Sequence, residues 1–248
     1  MQDLAGCDHD ARAMQAMLTG VVSDSYQVTM QLDQTASQIL SGIASAASGA
    51  DADDVFLFYY SGHGAMNGSL CCLGTSGTTA ITTAQLYQAL NAIPGRVIVI
   101  LDSCYSGQCI ASGSSVAVGF NSSILRAFSS GSANNYVSSS SGELATDKFL
   151  VITACSAVEQ SYSVSFTDNP DAPFGLMTRA LLEGIGWDEV AGTRCSSYAD
   201  TDGNGVLTLN EAYSYAYHSV STLLENEEVS QNVQCYPAGC SDTLFHLQ

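Results

Sequence analysis

Two apolar runs, each ending in a short polar stretch that carries a reactive side chain, constrain this chain more than any other feature. Val97–Gly107 reads VIVILDSCYSG. Its unbroken β-branched and leucine residues fit a strand buried on both faces, and they lead straight into a turn with Asp102, Ser103 and Cys104. Val55–Gly64, VFLFYYSGHG, has the same design and ends in Ser61, Gly62, His63 and Gly64. If the two strands are parallel neighbours, about 4.8 Å apart, both ends open into one crevice at the C-terminal edge of the sheet, where open α/β sheets hold their ligands. That arrangement sets a histidine beside a cysteine.

The rest of the chain alternates strands and helices around these two runs. Residues 8–19 place Ala11, Met14, Met17 and Leu18 at helical spacing, and Tyr26–Leu32 alternates like a strand. A helix over Thr35–Ala47, a small hairpin from Leu70–Leu73 and Thr79–Ile81, and a helix capped by Thr83 and ended by Pro94 and Gly95 follow. Lys148–Ala154 reads as a strand and Phe174–Ile185 as an amphipathic helix. The order predicts a single α/β domain over residues 1–248, built on a mostly parallel sheet flanked by helices. Within it, residues 108–147 are rich in Ser, Gly, Ala and Asn and read as a flexible linker, with one helical turn at Ile124–Phe128.

Farther on, ADTDGNGVLTLNEAY carries Asp200, Asp202, Asn204, Val206 and Glu211 at positions 1, 3, 5, 7 and 12 of a twelve-residue calcium loop, with Gly205 at position 6. Ca2+ is therefore the expected cofactor. The upstream flank DEVAGTRCSSY is a poor helix, so the pattern is half of an EF-hand. An acidic solvated turn capping the next helix is the plainer alternative, but it leaves the timing of Gly205 and Glu211 unexplained. A helix from Asn210 to about Leu224 and a closing strand at Thr243–Leu247 complete the chain.

With 6 basic against 24 acidic residues, the net charge of −18 argues against nucleic acid or an anionic membrane as partner and favours cationic ligands. No apolar run has the length of a membrane span, and the N-terminus lacks the apolar core of a signal peptide. The compartment stays open, and a monomer is expected. The 9 cysteines show no C-x-x-C pair, which speaks against zinc; an odd number leaves a free thiol, assigned to Cys104.

A cysteine attacks carbonyls as a thiolate, and a neighbouring imidazole both lowers its pKa and later protonates the leaving amine. The amides of Gly64 and Cys104 can donate to the developing oxyanion. A serine hydrolase using Ser103 or Ser106 is the competing enzyme class, but the G-x-S-x-G elbow is absent. A calcium-dependent scaffold that has lost catalysis is the non-enzymatic alternative, and it gives no reason to keep His63, Cys104 and their glycine neighbours.

GCDHDARAM, FYYSGHG, ILDSCYSG, FLVITACSAVEQSY and FGLMTRALLEGI together resemble successive motifs of the caspase-like cysteine peptidases, most of all metacaspases and bacterial caspase homologues. The resemblance implies a caspase-like fold and a His63–Cys104 dyad. It also implies that Cys7, Asp10 and Asp102 bind the basic side chain of a peptide or protein substrate, with cleavage after Arg or Lys. Relatives are processed after the catalytic cysteine, which points to self-cleavage at Arg126 or Lys148. They also carry an apolar strand ahead of the GCDHD helix, inside the sheet. Here only six residues precede Cys7, so the first strand of the family is expected to be missing, leaving backbone groups unpaired beside Tyr26–Leu32.

Overall fold

The computed structural model describes residues 4, 6–65, 69–74, 79–105, 148–155, 159–165 and 173–248, with the backbone alone at 104 and 105. Strands β1 (Val55–Gly64), β2 (Leu70–Cys72), β3 (Thr79–Ile81), β4 (Arg96–Tyr105) and β5 (Phe149–Thr153) form the central sheet with β11 (Gln234–Tyr236), in the order β11-β5-β4-β1-β2-β3. The two inner pairings that matter for the site are long and regular. β1 runs parallel to β4 from Val55↔Arg96 to Gly64↔Tyr105, and β4 runs parallel to β5.

Alternation along the strands divides the core in two. Ile98 and Ile100 of β4 face a cluster built with α1 (Cys7–Gly20), α4 (Leu176–Ile185) and α5 (Leu209–Leu223). Val97, Val99 and Leu101 face the opposite cluster, with α2 (Ala36–Ala46) and α3 (Thr83–Asn91). Short strand pairs complete the fold: β6 (Ser163–Val164) with β7 (Phe174–Gly175), β8 (Trp187–Asp188) with β9 (Thr193–Arg194), and β10 (Val206–Thr208) with β12 (Thr243–His246). No helix among the described residues is long and apolar enough to cross a membrane.

The structure departs from the sequence expectations in four places. Both central strands run on past the predicted turns, because their parallel register continues through His63↔Cys104 and Gly64↔Tyr105. Tyr26–Leu32 forms no strand: its residues alternate in exposure, but among the described residues no ladder partner lies alongside. The cap of α3 is Thr82, whose hydroxyl accepts from the Gln85 N–H while Gln85 reaches back to the Thr82 N–H; Thr83 is already inside the helix. Phe174 and Gly175 form β7 and so delay the start of α4 to Leu176. The helical turn expected at Ile124–Phe128 lies outside the described residues, as does the 108–147 stretch.

Candidate active site

The β1·β4 register puts His63 and Cys104 side by side at the C-terminal end of the sheet. Leu57 and Tyr59 of β1 and Ile98 and Ile100 of β4 belong to the α1-side cluster, and positions 63 and 104 continue those two alternations. The backbone under His63 is tightly held. The Tyr60 hydroxyl lies 2.8 Å from the His63 carbonyl and 2.8 Å from that of Cys71. A Cβ at Gly62 would fall 2.5 Å from that hydroxyl, so only glycine allows the tyrosine to lie there. Gly64, the second predicted oxyanion donor besides Cys104, is buried as the last residue of β1, paired with Leu70 and Tyr105.

Just inside this mouth two carboxylates meet. Asp10 of α1 and Asp102 of β4 are 2 % and 4 % exposed, and a Cβ at Gly175 would lie 3.1 Å from an oxygen of the first and 2.3 Å from one of the second. Asp10 accepts from the Ser61 hydroxyl at 2.6 Å and from the Gly175 N–H at 3.0 Å. Asp102 accepts from the Thr178 N–H at 2.9 Å, the Thr178 hydroxyl at 2.8 Å and the Ser161 hydroxyl at 3.0 Å. Among the described residues no Lys, Arg or His forms an ion pair with either acid.

Burial without a countercharge penalises ionisation. Burial, and then the charge of Asp102, push Asp10 up to about 8, and burial also raises Asp102 against the pull of its Thr178 and Ser161 hydrogen bonds. Cys7, on the same wall, is raised to about 11, chiefly by burial, with a Ser61 hydrogen bond opposing; its thiol stays neutral. Tyr59, bonded to Thr178 at 2.7 Å, is also raised by burial and by both acids. The cluster thus has room in its electrostatics for a cation. Sequence reading named Cys7, Asp10 and Asp102; it missed Ser61, Ser161, Thr178 and Gly175 as the residues that hold them.

The acidic loop lies elsewhere, between the β8·β9 hairpin and α5. Carboxylate oxygens of Asp200, Asp202 and Glu211 lie within 4.8 Å of one another. Asp200 accepts from the N–H groups of Asn204 (3.2 Å) and Gly205 (3.0 Å), Asp202 from Asn204 (3.1 Å), and Asn204 from Val206 (2.6 Å). Gly203 and Gly205 take φ of 68° and 76°, which close the turn. Glu211 is the third residue of the capping box on Thr208 and also accepts from the Thr201 hydroxyl, and these bonds keep its carboxyl below the ordinary value although burial opposes them. The donor set is all oxygen and fits a hard divalent cation such as calcium.

Of the two expected cleavage points, Arg126 lies outside the described residues. Lys148 is described: its ammonium donates to the carbonyls of Asn91 (2.8 Å), the last residue of α3, and Ile93 (2.6 Å), and its own carbonyl accepts from Val97.

A family model described as "Caspase domain" matches residues 1–237. Solved structures share the fold: a Geobacter sulfurreducens protein (21% identity, 99% of this chain and 90% of that one, TM-score 0.54), one titled pro-sf-caspase-1 (12%, 95% and 80%, 0.56), and caspase-1 from Spodoptera frugiperda (14%, 95% and 79%, 0.59). No curated protein matches.

Proposed function

The chain belongs to the caspase-domain family, a family of cysteine peptidases, and from that premise we propose that it is an endopeptidase cleaving peptide and protein substrates after Arg or Lys. Cys104 is the nucleophile. Its thiol proton passes to His63, the sulfur attacks the carbonyl carbon, and the oxyanion accepts from the Gly64 and Cys104 N–H groups. Protonated His63 then gives its proton to the leaving amine, and water hydrolyses the thioester. The observation that carries the specificity is the Asp10–Asp102 pair, buried beside the register neighbours His63 and Cys104 with no ion-pair partner among the described residues. A guanidinium or ammonium entering there supplies the missing countercharge through charge-assisted hydrogen bonds, while Cys7 adds a neutral wall.

Calcium is held by Asp200, Asp202, Asn204, the Val206 carbonyl and Glu211, and would modulate rather than perform the chemistry. α5 begins at this loop and packs on α4, whose Thr178 grips Asp102, so loop order has a packed route to the pocket. Self-processing is assigned to Arg126 in the Ser/Gly-rich stretch. Cleavage at Lys148 first requires releasing its two carbonyl bonds.

The test is a Cys104→Ala variant assayed on an Arg-containing peptide with and without calcium, with intact mass recorded in parallel. Activity and Arg126 fragments should both vanish while the fold persists. Wild-type turnover in the variant would assign the nucleophile elsewhere, and calorimetry without heat up to millimolar calcium would remove the ion.

A further inference from the structure

Residues 230–232 lie in the chain between α5 and β11, and the middle one is a buried amide: Gln231 is 2% exposed. A buried amide needs partners for both its carbonyl and its N–H groups. Gln231 finds them at the two ends of one loop. Its side-chain carbonyl accepts from the Tyr162 N–H at 2.8 Å, and its side-chain N–H donates to the Ala154 carbonyl at 3.1 Å. The loop grips back through Glu159. That carboxylate accepts from the Ser230 hydroxyl at 2.8 Å and the Asn232 N–H at 3.1 Å, and also from the Asn232 side-chain amide.

The loop closed in this way carries Ser161, and each clamped end is tied to an element next to Asp102. The Ala154 N–H donates to the Leu101 carbonyl, so the loop leaves β5 against the β4 residue just before Asp102. The Tyr162 carbonyl accepts from the N–H of Leu176, the first residue of α4, whose Thr178 holds one oxygen of Asp102. The other oxygen takes the Ser161 hydroxyl. The two holders differ in how they are themselves fixed. Thr178 is set by its helix, whereas Ser161 belongs to no helix or strand and keeps its place only as long as the loop stays closed.

We propose that Gln231 is a positioning residue for substrate recognition: by closing the loop at Ala154 and Tyr162 it holds Ser161 on Asp102 and keeps that carboxylate aimed at a cationic side chain. That role rests on the Asp10–Asp102 pair being the site for Arg or Lys. Burial disfavours the charged form of Asp102, and the Ser161 bond favours it. Without Ser161 the carboxylate ionises with more difficulty and pairs less well with a guanidinium. An amide suits position 231 because the partners there are one donor and one acceptor. A carboxylate would set an oxygen against the Ala154 carbonyl, while a protonated carboxyl keeps both bonds.

The experiment compares the full wild-type chain with Gln231→Met, Ser161→Ala, the double variant and Gln231→Glu. It reads the ratio of kcat/KM for arginine over citrulline before the scissile bond and, in the Cys104→Ala background, the titration of the Asp102 carboxyl by carbon NMR. Gln231→Met should lose about tenfold of the arginine preference, the size of one hydrogen bond to a charged group, and move the Asp102 midpoint upward. Ser161→Ala should do the same and the double variant no more, since the two residues act in series. At pH 6 Gln231→Glu, protonated in its buried place, should stay closer to wild type than Gln231→Met in both readings, which mere filling of space at position 231 does not explain. If Gln231→Met does not fold, Gln231→Asn takes its place, because it keeps the amide but is one methylene too short to span both partners. An unmoved Asp102 midpoint overturns the proposal, as do additive losses in the double variant or a Gln231→Glu no better than Gln231→Met. Equal wild-type rates on the two peptides would remove the arginine reading of the pocket, and the Asp102 midpoint would then decide the role of Gln231 by itself.

Discussion

β4 and β1 lie side by side in register, yet they live in different surroundings. Val97–Ser103 of β4 are all buried, between β5 on one edge and β1 on the other, whereas Phe56–His63 of β1 are all only half-buried. The sequences do not foretell this, since VFLFYY is at least as apolar as VIVILD. The difference comes from neighbours: β4 has a parallel partner on each side, and among the described residues β1 has no strand along most of its outer edge. A strand's burial is a property of the sheet it joins and only secondarily of its own composition.

The contrast can be broken most forcefully by truncating one residue on each strand. Ile100→Ala in β4 should cost about 2–5 kcal/mol, the range for a large-to-small change in a closed core. Leu57→Ala in β1 should cost about 1–2 kcal/mol, because a half-exposed side chain has less apolar area to lose. Urea melts of both variants check this, and equal losses would mean that β1 is as sealed as β4.

A second test uses the acid that α1 lays over β1. The free carboxyl of Asp10 sits near 3.8 and in the folded protein near 8, so the folded state holds a proton that the unfolded chain gives up. That contribution is fully present below about pH 4 and is lost as pH rises toward 8. Asn at position 10 can keep the bonds to Gly175 and Ser61 without titrating. Asp10→Asn should therefore gain Tm relative to wild type steadily between pH 5 and pH 8.5, by several degrees at the upper end. Parallel Tm profiles would show that Asp10 ionises as freely as an exposed acid.

The smallest expected effect is at the far end of the sheet. Lys148→Met removes the ammonium that bridges two carbonyls at the C-terminal end of α3, at the start of fully buried β5, and should lower stability by about 1 kcal/mol. No change in the urea midpoint would place that lysine in solvent.

Much of the fold was legible because apolar runs and helical spacing report directly on which faces are buried. Strands β1, β4 and β5 and helices α1, α2 and α5 lie where the pattern puts them, within a few residues at the ends. Tyr26–Leu32 failed for a physical reason: alternation specifies the side chains of a strand but not the presence of a partner. The candidate site was half legible. Asp10 and Asp102 were named only through the resemblance of GCDHD and DSC to caspase-like motifs. The groups that hold those acids did not stand out: Ser161 and Thr178 are ordinary residues 59 and 76 positions from Asp102 and meet it only through folding.

The central claim is that the paired carboxylates read a positive charge beside the Cys104 nucleophile. It is tested most directly by kcat/KM at pH 8 for two peptides identical except that the residue before the scissile bond is arginine in one and citrulline in the other. Citrulline keeps the shape and removes the charge. Two charge-assisted contacts expressed in the transition state predict a preference for arginine of about a hundredfold or more, absent in Cys104→Ala along with all turnover. Equal rates on the two peptides would contradict the account.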